Sequence, residues 1–371
     1  MKINIYTENN VDKNDKIGST KYLKQINQYY SDLGYEVKFE IIEAPKFSKI
    51  DKLKSIFQLI TKKIPVQIYK RRNLNILCDG DINIVENIYI AESIVNKNEC
   101  VLLAQDSMSR LQISLANAEK NIAKRIYYSI STLAYYNLEK NIYNNFKKVI
   151  FVSNEDKKYV DSQFNLKNTD IMEIGIDKKE LDYDENLCKN IKDKYGSYIL
   201  FTGNMNYPPN RQACELLIKE IYPKINKDIN LLLVGIGSEV FNNEANCVFG
   251  LGMVESLSEY IRESKAYVSP LISGSGMKNK ILEAMAQESV VIASDKSIEG
   301  INGLKDNINF IYAKDIDMFI DKINNLEMYN LSKIKSEAKQ FILEKQLFEV
   351  KNNKILSQFI EVKNDKSINC N

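Results

Sequence analysis

The sequence predicts an α/β protein with two domains, each built on a doubly wound parallel sheet. Short runs of β-branched and other apolar residues alternate with longer segments of helical period, a pattern typical of parallel sheets covered by helices on both faces. The alternation occurs twice, before and after the polar stretch 177–195. A chain of 371 residues also exceeds the usual size of one hydrophobic core. We therefore predict domains over 1–176 and 196–345, a linker at 177–195, and a C-terminal helix in 346–371 that returns to the first domain.

In the first half, strands and helices are predicted in alternation. The predicted strands lie near 2–6, 35–42, 82–86, 100–105, 148–153 and 171–176. The predicted helices lie near 19–32, 52–63, 113–146 and 154–163.

The second half restarts the same pattern after the polar stretch. The predicted strands lie at 198–203, 230–235, 246–252, 266–270, 290–294 and 309–313, and the tail 314–363 is predicted to be helical. Several of these strands end in Gly, Ser or Pro. Open α/β sheets bind ligands outside the carboxyl ends of their strands, so we expect the functional site among these residues.

Composition excludes several classes of site. The chain has no histidine, which rules out a Ser/His/Asp triad, a Cys/His dyad and zinc sites that use histidine. The six cysteines form no CxxC pair, which favours reduced thiols in a cytoplasmic protein. A net charge of +2 gives no indication of nucleic acid. No apolar run approaches the roughly 18 residues of a membrane span, and the N-terminus does not resemble a signal peptide.

The segment SGSGMKNKILEAMA, 273–286, has the residue types of an anion site. A strand, a glycine turn and a helix follow one another here, so the first helical N–H groups and the positive end of the helix dipole face the turn. Gly274 and Gly276 allow close approach to the backbone, and Lys278 and Lys280 add positive charge that could replace a metal ion. The segment predicts a diphosphate site.

Glu283 lies in the first turns of the same predicted helix. Its carboxylate could accept hydrogen bonds from vicinal hydroxyls, as the acidic residue of dinucleotide sites does on a ribose. Alternatively, it only pairs with Lys280 one turn earlier and complements the helix dipole. One glycine-rich turn does not decide between these interpretations.

Four motifs in the second half extend this interpretation. In order, they are FTGNMNYPPNRQACELLIKEIYPKI, LLLVGIGS, FGLGMVESLSEYIRESKAYVSPL and GSGMKNKILEAMAQESVVIASDKSIEGI. Together they resemble the donor domain of GT-B glycosyltransferases of family GT4, in the version found in bacterial cell-envelope sugar transferases. The first half resembles the family in NDKIGSTKYLKQINQYYSDLGYEV, VIFVSNED and IGID.

The resemblance implies two Rossmann-like domains facing across a cleft and transfer with retention of anomeric configuration. The donor would be a UDP- or GDP-linked sugar held mainly by the second domain, with the acceptor held by the first and neither a metal nor another cofactor required. Residues implied in catalysis are Asp106, Lys278 and Lys280. Residues implied in donor binding are Gly18, Gly203, Asn204, Arg211, Gly235, Gly252, Met253, Val254, Gly274, Ser275, Gly276, Met277 and Glu283.

Within this set, the resemblance implies separate roles. Glu283 is the second glutamate of the family's E-x7-E motif and would hold the ribose. Gly18 belongs to the acceptor-side loop that faces the diphosphate, where Ser19 or Thr20 would cap the next helix. The segment 252–254 would bind the base through backbone groups, and 235–237 would line the same rim.

The sequence departs from the family pattern at three places. Ser275 stands where the first glutamate of the E-x7-E motif is expected. Asn204 and Asn210 stand where many relatives carry an Arg and a Lys that clamp the diphosphate. The acceptor-domain histidine is missing, and Asp106 is the candidate in its place, although Asp106 could instead cap the next turn through Ser107 or Ser109.

Two further segments allow competing interpretations. In CDGD, 78–81, Asp79 and Asp81 resemble the metal motif of GT-A glycosyltransferases, but we favour a polar turn before a strand. In 46–72, many Lys and Arg residues accompany Ile50, Leu53, Phe57 and Ile60 at helical spacing. Such a helix could contact an anionic membrane at the inner face of the cell or could pack its apolar face on the protein core.

The sequence therefore predicts a retaining glycosyltransferase of bacterial cell-envelope polysaccharide biosynthesis, acting on a glycan or lipid-linked acceptor. A catalytically degenerate binding subunit and a GT-B sugar-nucleotide epimerase remain alternatives.

Overall fold

The computed structural model describes residues 2–9 and 18–352. Within these residues the chain divides into two compact units. The first unit contains the described residues up to Ile174 together with Lys351 and Asn352, and the second unit is Gly175–Val350.

The first unit alternates strands and helices. Its strands are β1 (Lys2–Thr7), β2 (Glu36–Ile41), β3 (Ile82–Glu86), β4 (Cys100–Gln105), β5 (Lys148–Phe151) and β6 (Thr169–Ile171). Its helices are α1 (Gly18–Asp32), α2 (Lys49–Lys62), α3 (Ile88–Ala91), α4 (Met108–Ala118), α5 (Ile122–Ile142) and α6 (Asn154–Phe164).

The second unit repeats this alternation. Its strands are β7 (Tyr198–Thr202), β8 (Asn230–Val234), β9 (Val248–Gly250), β10 (Ala266–Ser269), β11 (Val291–Ala293) and β12 (Ile311–Tyr312). Its helices are α7 (Glu185–Tyr195), α8 (Pro208–Leu216), α9 (Ser258–Arg262), α10 (Asn279–Ala286), α11 (Asp295–Ile298), α12 (Ile316–Asn324) and α13 (Leu331–Lys345).

Both sheets are parallel, as predicted. Within the described residues, the first has six strands in the order β2-β1-β3-β4-β5-β6. The second has six in the order β12-β11-β10-β7-β8-β9. Each order runs outward in one direction, returns to the middle and continues the other way, which is the doubly wound arrangement. The prediction of two α/β domains with doubly wound parallel sheets is confirmed.

Continuous apolar runs explain why these strands are central. β3 and β7 are buried along their whole length, as expected for parallel strands covered on both faces. Leu102, Val149 and Phe151 lie in the core of the first unit. Phe201 and Val268 lie in the core of the second.

The predicted helix 113–146 is wrong as a single element. α4 ends at Ala118 and α5 begins at Ile122. The side chain of Asn121 accepts a hydrogen bond from Lys124 N at 3.1 Å, so it caps α5 and starts a new helix.

The sixth strand of the first unit is shorter than predicted. The sequence predicts 171–176, whereas β6 ends at Ile171. Beyond it the chain enters the second unit, where Ile176 N donates to Gln346 O at 2.8 Å. Gly175 is required there, because a Cβ atom would lie 2.3 Å from Phe348 Cα.

The stretch predicted as a linker, 177–195, contains a 3₁₀ turn, Lys178–Leu181, and helix α7. α7 buries Cys188, Ile191 and Tyr195 in the second unit. The sequence shows this helix only weakly, because its apolar residues are few and separated by charged ones.

The predicted helical tail is interrupted at Gln346 and Leu347. Residues 348–352 are helical again, and the rest of the predicted tail lies outside the described residues. Asn352 Nδ2 donates to Glu173 O at 2.6 Å, and Lys351 forms an ion pair with Glu173, so these two residues belong to the first unit. No described helix is both long enough and apolar enough to cross a bilayer.

Candidate active site

The candidate site lies where the strand order of the second sheet reverses. β7 and β10 are neighbours, but the chain leaves them in opposite directions across the sheet. The segments after their carboxyl ends, 203–207 and 270–278, therefore flank one crevice, which is the usual ligand position in open α/β sheets. α10 begins at Asn279, directly after the second segment. The predicted anion segment thus occupies the expected place in the fold.

The loop after β10 is folded around Lys278. Its ammonium group is buried and donates to Ser275 O and Gly276 O, each at 2.5 Å. Gly274 has φ +128° and Gly276 has φ +67°, conformations that favour glycine. Met277 is buried beside them. Lys278 therefore holds the loop in shape within the second unit and places positive charge at the start of α10.

Lys280 projects from the first turn of α10 to the end of β7. Its Nζ atom donates to Thr202 O at 2.7 Å and to Asn210 Oδ1 at 2.6 Å, and it lies 4.4 Å from the centroid of the Phe201 ring. The pKa of Lys280 is lowered to about 7, mainly by burial and to a lesser extent by nearby Lys278, while Cys214 and Glu283 oppose the shift. A bound anion would favour the charged form.

Gly203 makes this approach sterically possible. A Cβ atom there would lie 2.6 Å from Asn210 Nδ2 and 2.8 Å from Lys280 Nζ. Asn210 Nδ2 also donates to Asn204 O at 3.0 Å, so one amide side chain connects the loop after β7 with α10.

Two residues of the anion segment carry buried polar atoms without a partner among the described residues. These atoms are Ser275 Oγ and both Oδ1 and Nδ2 of Asn279. Buried polar groups are normally hydrogen bonded, so such a cluster at a helix start indicates groups reserved for a ligand. Asn279 was not predicted from the sequence, although its position between Lys278 and Lys280 was a usable signal.

Glu283 lies one turn beyond Lys280 on α10 and is half-buried. Its negative charge acts to raise the pKa of Lys280, so the two side chains interact electrostatically. The structure brings Glu283 to the predicted helix, and its contact with a ribose stays a prediction.

The remaining predicted rim residues surround β8 and β9. Gly235 N donates to Gly252 O at 2.7 Å, and a Cβ on Gly235 would lie 2.2 Å from Gly203 O. Gly252 N donates to Ser238 Oγ at 2.9 Å. Gly203, Gly235 and Gly252 are therefore adjacent. Beyond them, Met253 is exposed, and Val254 is half-buried.

Arg211 contacts one residue of its own helix and one aromatic ring outside it. Its Nε atom lies 3.5 Å from Glu215 Oε1, and its guanidinium lies 5.6 Å from the centroid of the Phe241 ring. Asn204 Oδ1 accepts from Asn206 N at 2.9 Å, which stabilises the turn after β7. A role for Arg211 or Asn204 in binding the donor stays a prediction.

Asp106 follows β4 in the first unit and is half-buried. The cap of the next helix is Ser107, whose side chain accepts from Arg110 N at 3.3 Å. Gln105 has φ +62°, and the pairing of β4 with β5 shifts register between Leu103 and Gln105. The strand therefore ends in a distorted residue immediately before Asp106.

A buried carboxylate, Glu86, organises the carboxyl edge of the first sheet. It accepts hydrogen bonds from Thr7 Oγ1 at 2.8 Å and from the side-chain amides of Asn9, Asn87 and Gln105 at 3.0–3.2 Å. Burial raises its pKa despite these donors. Sequence reasoning missed Glu86, although an acid ending the buried run INIVE was a signal.

A second buried carboxylate, Glu139 on α5, lies behind the start of α4. It accepts from Met108 N at 2.6 Å and from the hydroxyls of Ser107 and Ser109. Burial raises the pKa of Glu139 to about 7. Glu139 therefore holds the backbone after Asp106, and Glu86 holds the side chain of Gln105 before it.

Gly18 is the first residue of α1. Most of the predicted acceptor-side loop before it, and the side chain of Ser19, lie outside the described residues. The role of Gly18 stays a prediction.

The CDGD segment forms the polar turn favoured above. Asp79 Oδ1 accepts from Asn4 Nδ2 at 2.9 Å, and Asp81 Oδ2 accepts from Lys2 N at 2.9 Å. Both aspartates precede β3, at the opposite edge of the sheet from Asp106. Within the described residues, no group of three or more Cys, Asp or Glu side chains could hold a metal ion.

Comparisons with known proteins agree with this fold. Residues 196–327 match the family model Glycosyl transferases group 1. A Klebsiella pneumoniae protein described as an uncharacterised 44.6 kDa protein in the cps region is 24% identical over 316 residues, 78% of this chain and 77% of that protein.

Solved glycosyltransferase structures share the fold along nearly the whole chain. HepE from Anabaena, solved with UDP and glucose, has a TM-score of 0.67 at 12% identity, covering 97% of this chain and 100% of that one. Sucrose-phosphate synthase from Thermosynechococcus elongatus has a TM-score of 0.70 at 13% identity, covering 98% and 99%. WaaG, a glycosyltransferase involved in lipopolysaccharide biosynthesis, has a TM-score of 0.64 at 12% identity, covering 97% and 99%. Residues 196–327 thus match the glycosyl transferases group 1, and the chain shares the GT-B fold of these solved structures.

Proposed function

We propose that the protein is a retaining glycosyltransferase that moves a sugar from a UDP- or GDP-linked donor to a glycan or lipid-linked acceptor. The observation that carries the donor assignment is the loop 273–280, where buried Lys278, half-buried Lys280, the start of α10 and the polar atoms of Ser275 and Asn279 without described partners converge. Retention is proposed from the resemblance to family GT4.

In this proposal the second unit stabilises the departing nucleotide diphosphate. Negative charge develops on the leaving group as the sugar–oxygen bond breaks, and preorganised N–H groups and cations lower the energy of that state. The first N–H groups of α10 and the ammonium of Lys280 supply this stabilisation. Lys278 contributes charge and keeps the loop folded through its bonds to Ser275 O and Gly276 O. Glu283 would hold the ribose.

Ser275 and Asn279 would hold the sugar in place of the missing glutamate. A hydroxyl and an amide offer both donors and acceptors to sugar hydroxyls, whereas a carboxylate only accepts. Asp106 is the proposed catalytic residue of the first unit, where Glu139 holds the backbone after it and Glu86 holds the side chain of Gln105 before it.

The acceptor class and the location are proposed from two further observations. The relative in a cps region and the likeness to WaaG support a role in cell-envelope polysaccharide biosynthesis. The described cysteines are free, which is consistent with work in the cytoplasm, where nucleotide sugars are formed.

A panel of UDP- and GDP-sugars, assayed by released nucleotide with and without acceptor fractions from envelope polysaccharides, tests the proposal. Lys280→Ala should reduce turnover at least tenfold. Lys339→Ala is a matched control, since Lys339 is also partly buried and donates to a backbone carbonyl, Ala286 O at 2.7 Å, outside the site. NMR of the product anomer then tests retention.

The rival is a binding subunit without catalysis. Ser275, Asn204 and Asn210 favour it, because each replaces a charged residue expected from the family. Both functions require nucleotide binding, so UDP or GDP bound at α10 without turnover of any donor would support the rival. Conversion of a sugar nucleotide without acceptor would instead indicate an epimerase.

A further inference from the structure

Helix α2 presents its apolar face to solvent. Ile50, Leu53, Phe57 and Ile60 follow the spacing of one helical face, and each is between 52% and 70% exposed. The residues of α2 that are buried are Ser55 and Leu59, which lie on the opposite side. The helix therefore packs on the unit through a small polar residue and one leucine, and leaves its most apolar stripe in water. An unpartnered stripe of this kind marks an interaction surface.

Positive charge borders the stripe on both sides. Lys49 is one turn before Leu53, and Lys54 is one turn after Ile50 and one turn before Phe57, so both are neighbours of the apolar residues. Both lysines are exposed. The single acid of α2, Asp51, pairs with Lys70 at 2.6 Å. We name Lys49, Ile50, Leu53, Lys54, Phe57 and Ile60 the α2 face.

Helix α5, which contacts α2, also exposes apolar residues along one side. α5 packs against α2 and exposes Ile122, Ile126 and Leu133, which also share one helical side. Exposed Arg125 lies one turn after Ile122. The combination of exposed apolar residues with a basic neighbour thus recurs on the neighbouring helix.

We propose that the α2 face binds the surface of an anionic lipid bilayer. The helix would lie in the plane of the membrane, with the apolar residues at the boundary of headgroups and acyl chains and the lysines on lipid phosphates. The lysines beside the apolar residues favour a bilayer over a protein as the binding partner of the α2 face. Lysine is depleted at protein interfaces, whereas helices that lie on membranes are rich in lysine at the border of an apolar stripe. The inference stands on α2 alone and does not depend on the transfer reaction.

Vesicle sedimentation of the full-length protein tests this surface. The probes are phosphatidylcholine vesicles with and without phosphatidylglycerol, at low and high salt. We expect binding at least tenfold tighter to the anionic vesicles, weakened by salt. Leu53→Ser with Phe57→Ser, and separately Lys49→Glu with Lys54→Glu, should each weaken binding at least tenfold.

The control is Val240→Ser with Met328→Ser, which removes two equally exposed apolar residues of the second unit. Vesicle binding should be unchanged in this variant, and the melting temperature should be unchanged in all variants. UDP and GDP binding should also be unaffected by the α2 changes, so the outcome is separate from that of the donor assignment. The proposal is overturned if wild-type protein does not bind anionic vesicles, if the α2 variants bind like wild type, or if salt and phosphatidylglycerol make no difference. Retention by a protein partner with no vesicle binding also overturns it.

Discussion

Lys280 Nζ and Asn210 Oδ1 are joined by a 2.6 Å hydrogen bond between α10 and α8. Asn210 stands where many family members carry a lysine, and a second ammonium at this distance would repel the first. The neutral amide therefore allows Lys280 to be buried close to Thr202 O and Gly203. In this chain one lysine, held by an amide, occupies the end of β7.

Donor binding should be coupled to proton uptake at Lys280. Its pKa is about 7 in the free protein because of burial, and a bound diphosphate should raise it. Above pH 7, Lys280 is largely deprotonated in the free protein and takes up a proton when the diphosphate binds. The affinity for the nucleotide should therefore fall as pH rises, by at most tenfold per pH unit. Calorimetry of UDP and GDP binding in buffers of different ionisation enthalpy measures the uptake. Lys280→Ala should abolish it, and buffer-independent heats in wild type would contradict the assignment.

Glu283→Gln should weaken donor binding without changing the fold. Hydrogen bonds to a charged group are worth about 1.5–3 kcal/mol, so the loss should be roughly tenfold to a hundredfold in Kd. Glu288→Gln is the matched control, since Glu288 directly follows α10 and Gln287 and lies 3.3 Å from Arg262 Nη1. Equal affinities in wild type and Glu283→Gln would remove Glu283 from the site.

Asn279→Ala should separate stability from activity. The alanine removes two buried polar atoms that lack partners in the described part of the chain. The free energy of unfolding should therefore stay constant or increase by about 1 kcal/mol, and the melting temperature should not fall. Turnover should fall at least tenfold if the amide binds the donor. A variant with wild-type kcat/KM would show that Asn279 has no ligand role. Ser275→Ala should behave in the same way, with a smaller loss of activity.

Ionisation of Glu139 should destabilise the first unit. Its folded-state pKa of about 7 lies above the ordinary glutamate value of 4.5, so between these pH values the folded state holds the proton more tightly than the unfolded state does. The free energy of unfolding should therefore decrease as pH rises from about 4.5 to 7, by on the order of 3 kcal/mol from this group. Thermal unfolding over this range, compared with Glu139→Gln, isolates the effect. The exposed Glu43→Gln is a control, and a pH dependence unchanged in Glu139→Gln would contradict the prediction.

Removal of divalent metals should leave transfer intact. The positive charge at the proposed diphosphate site comes from Lys278, Lys280 and the start of α10, and Asp79 and Asp81 are already hydrogen bonded before β3. Released nucleotide should therefore be the same with and without a chelator. Activity that disappears with the chelator and returns with manganese would disprove this account.

The sequence predicted the sheets and the glycine turn before α10, because both depend on local pattern. Buried parallel strands are continuous apolar runs, and the glycine turn before α10 uses residue types with few other purposes. It could not predict the state of Lys280, since that depends on Phe201, Thr202 and Asn210, more than 60 residues away in the chain.

The direction in which a helix faces was also beyond sequence reasoning. Periodicity shows that Ile50, Leu53 and Phe57 share a side of α2, but not that this side points to solvent. Sequence reasoning missed the buried polar atoms of Asn279, which lack partners among the described residues, and the hydrogen bonds of Glu86 for the same reason. Their hydrogen-bonding state is fixed by residues brought together only when the sheet forms.

The first unit includes residues from the far end of the chain, which contact the last residues of its N-terminal segment. Lys351 and Asn352 both bind Glu173, whereas the second unit is one uninterrupted segment from Gly175 to Val350. During synthesis on the ribosome, the whole second unit therefore emerges before the first has all its parts. A chain cut after Val350 would keep the whole second unit and leave Glu173 without these two contacts. The cut would therefore destabilise the first unit, which is the unit synthesised first.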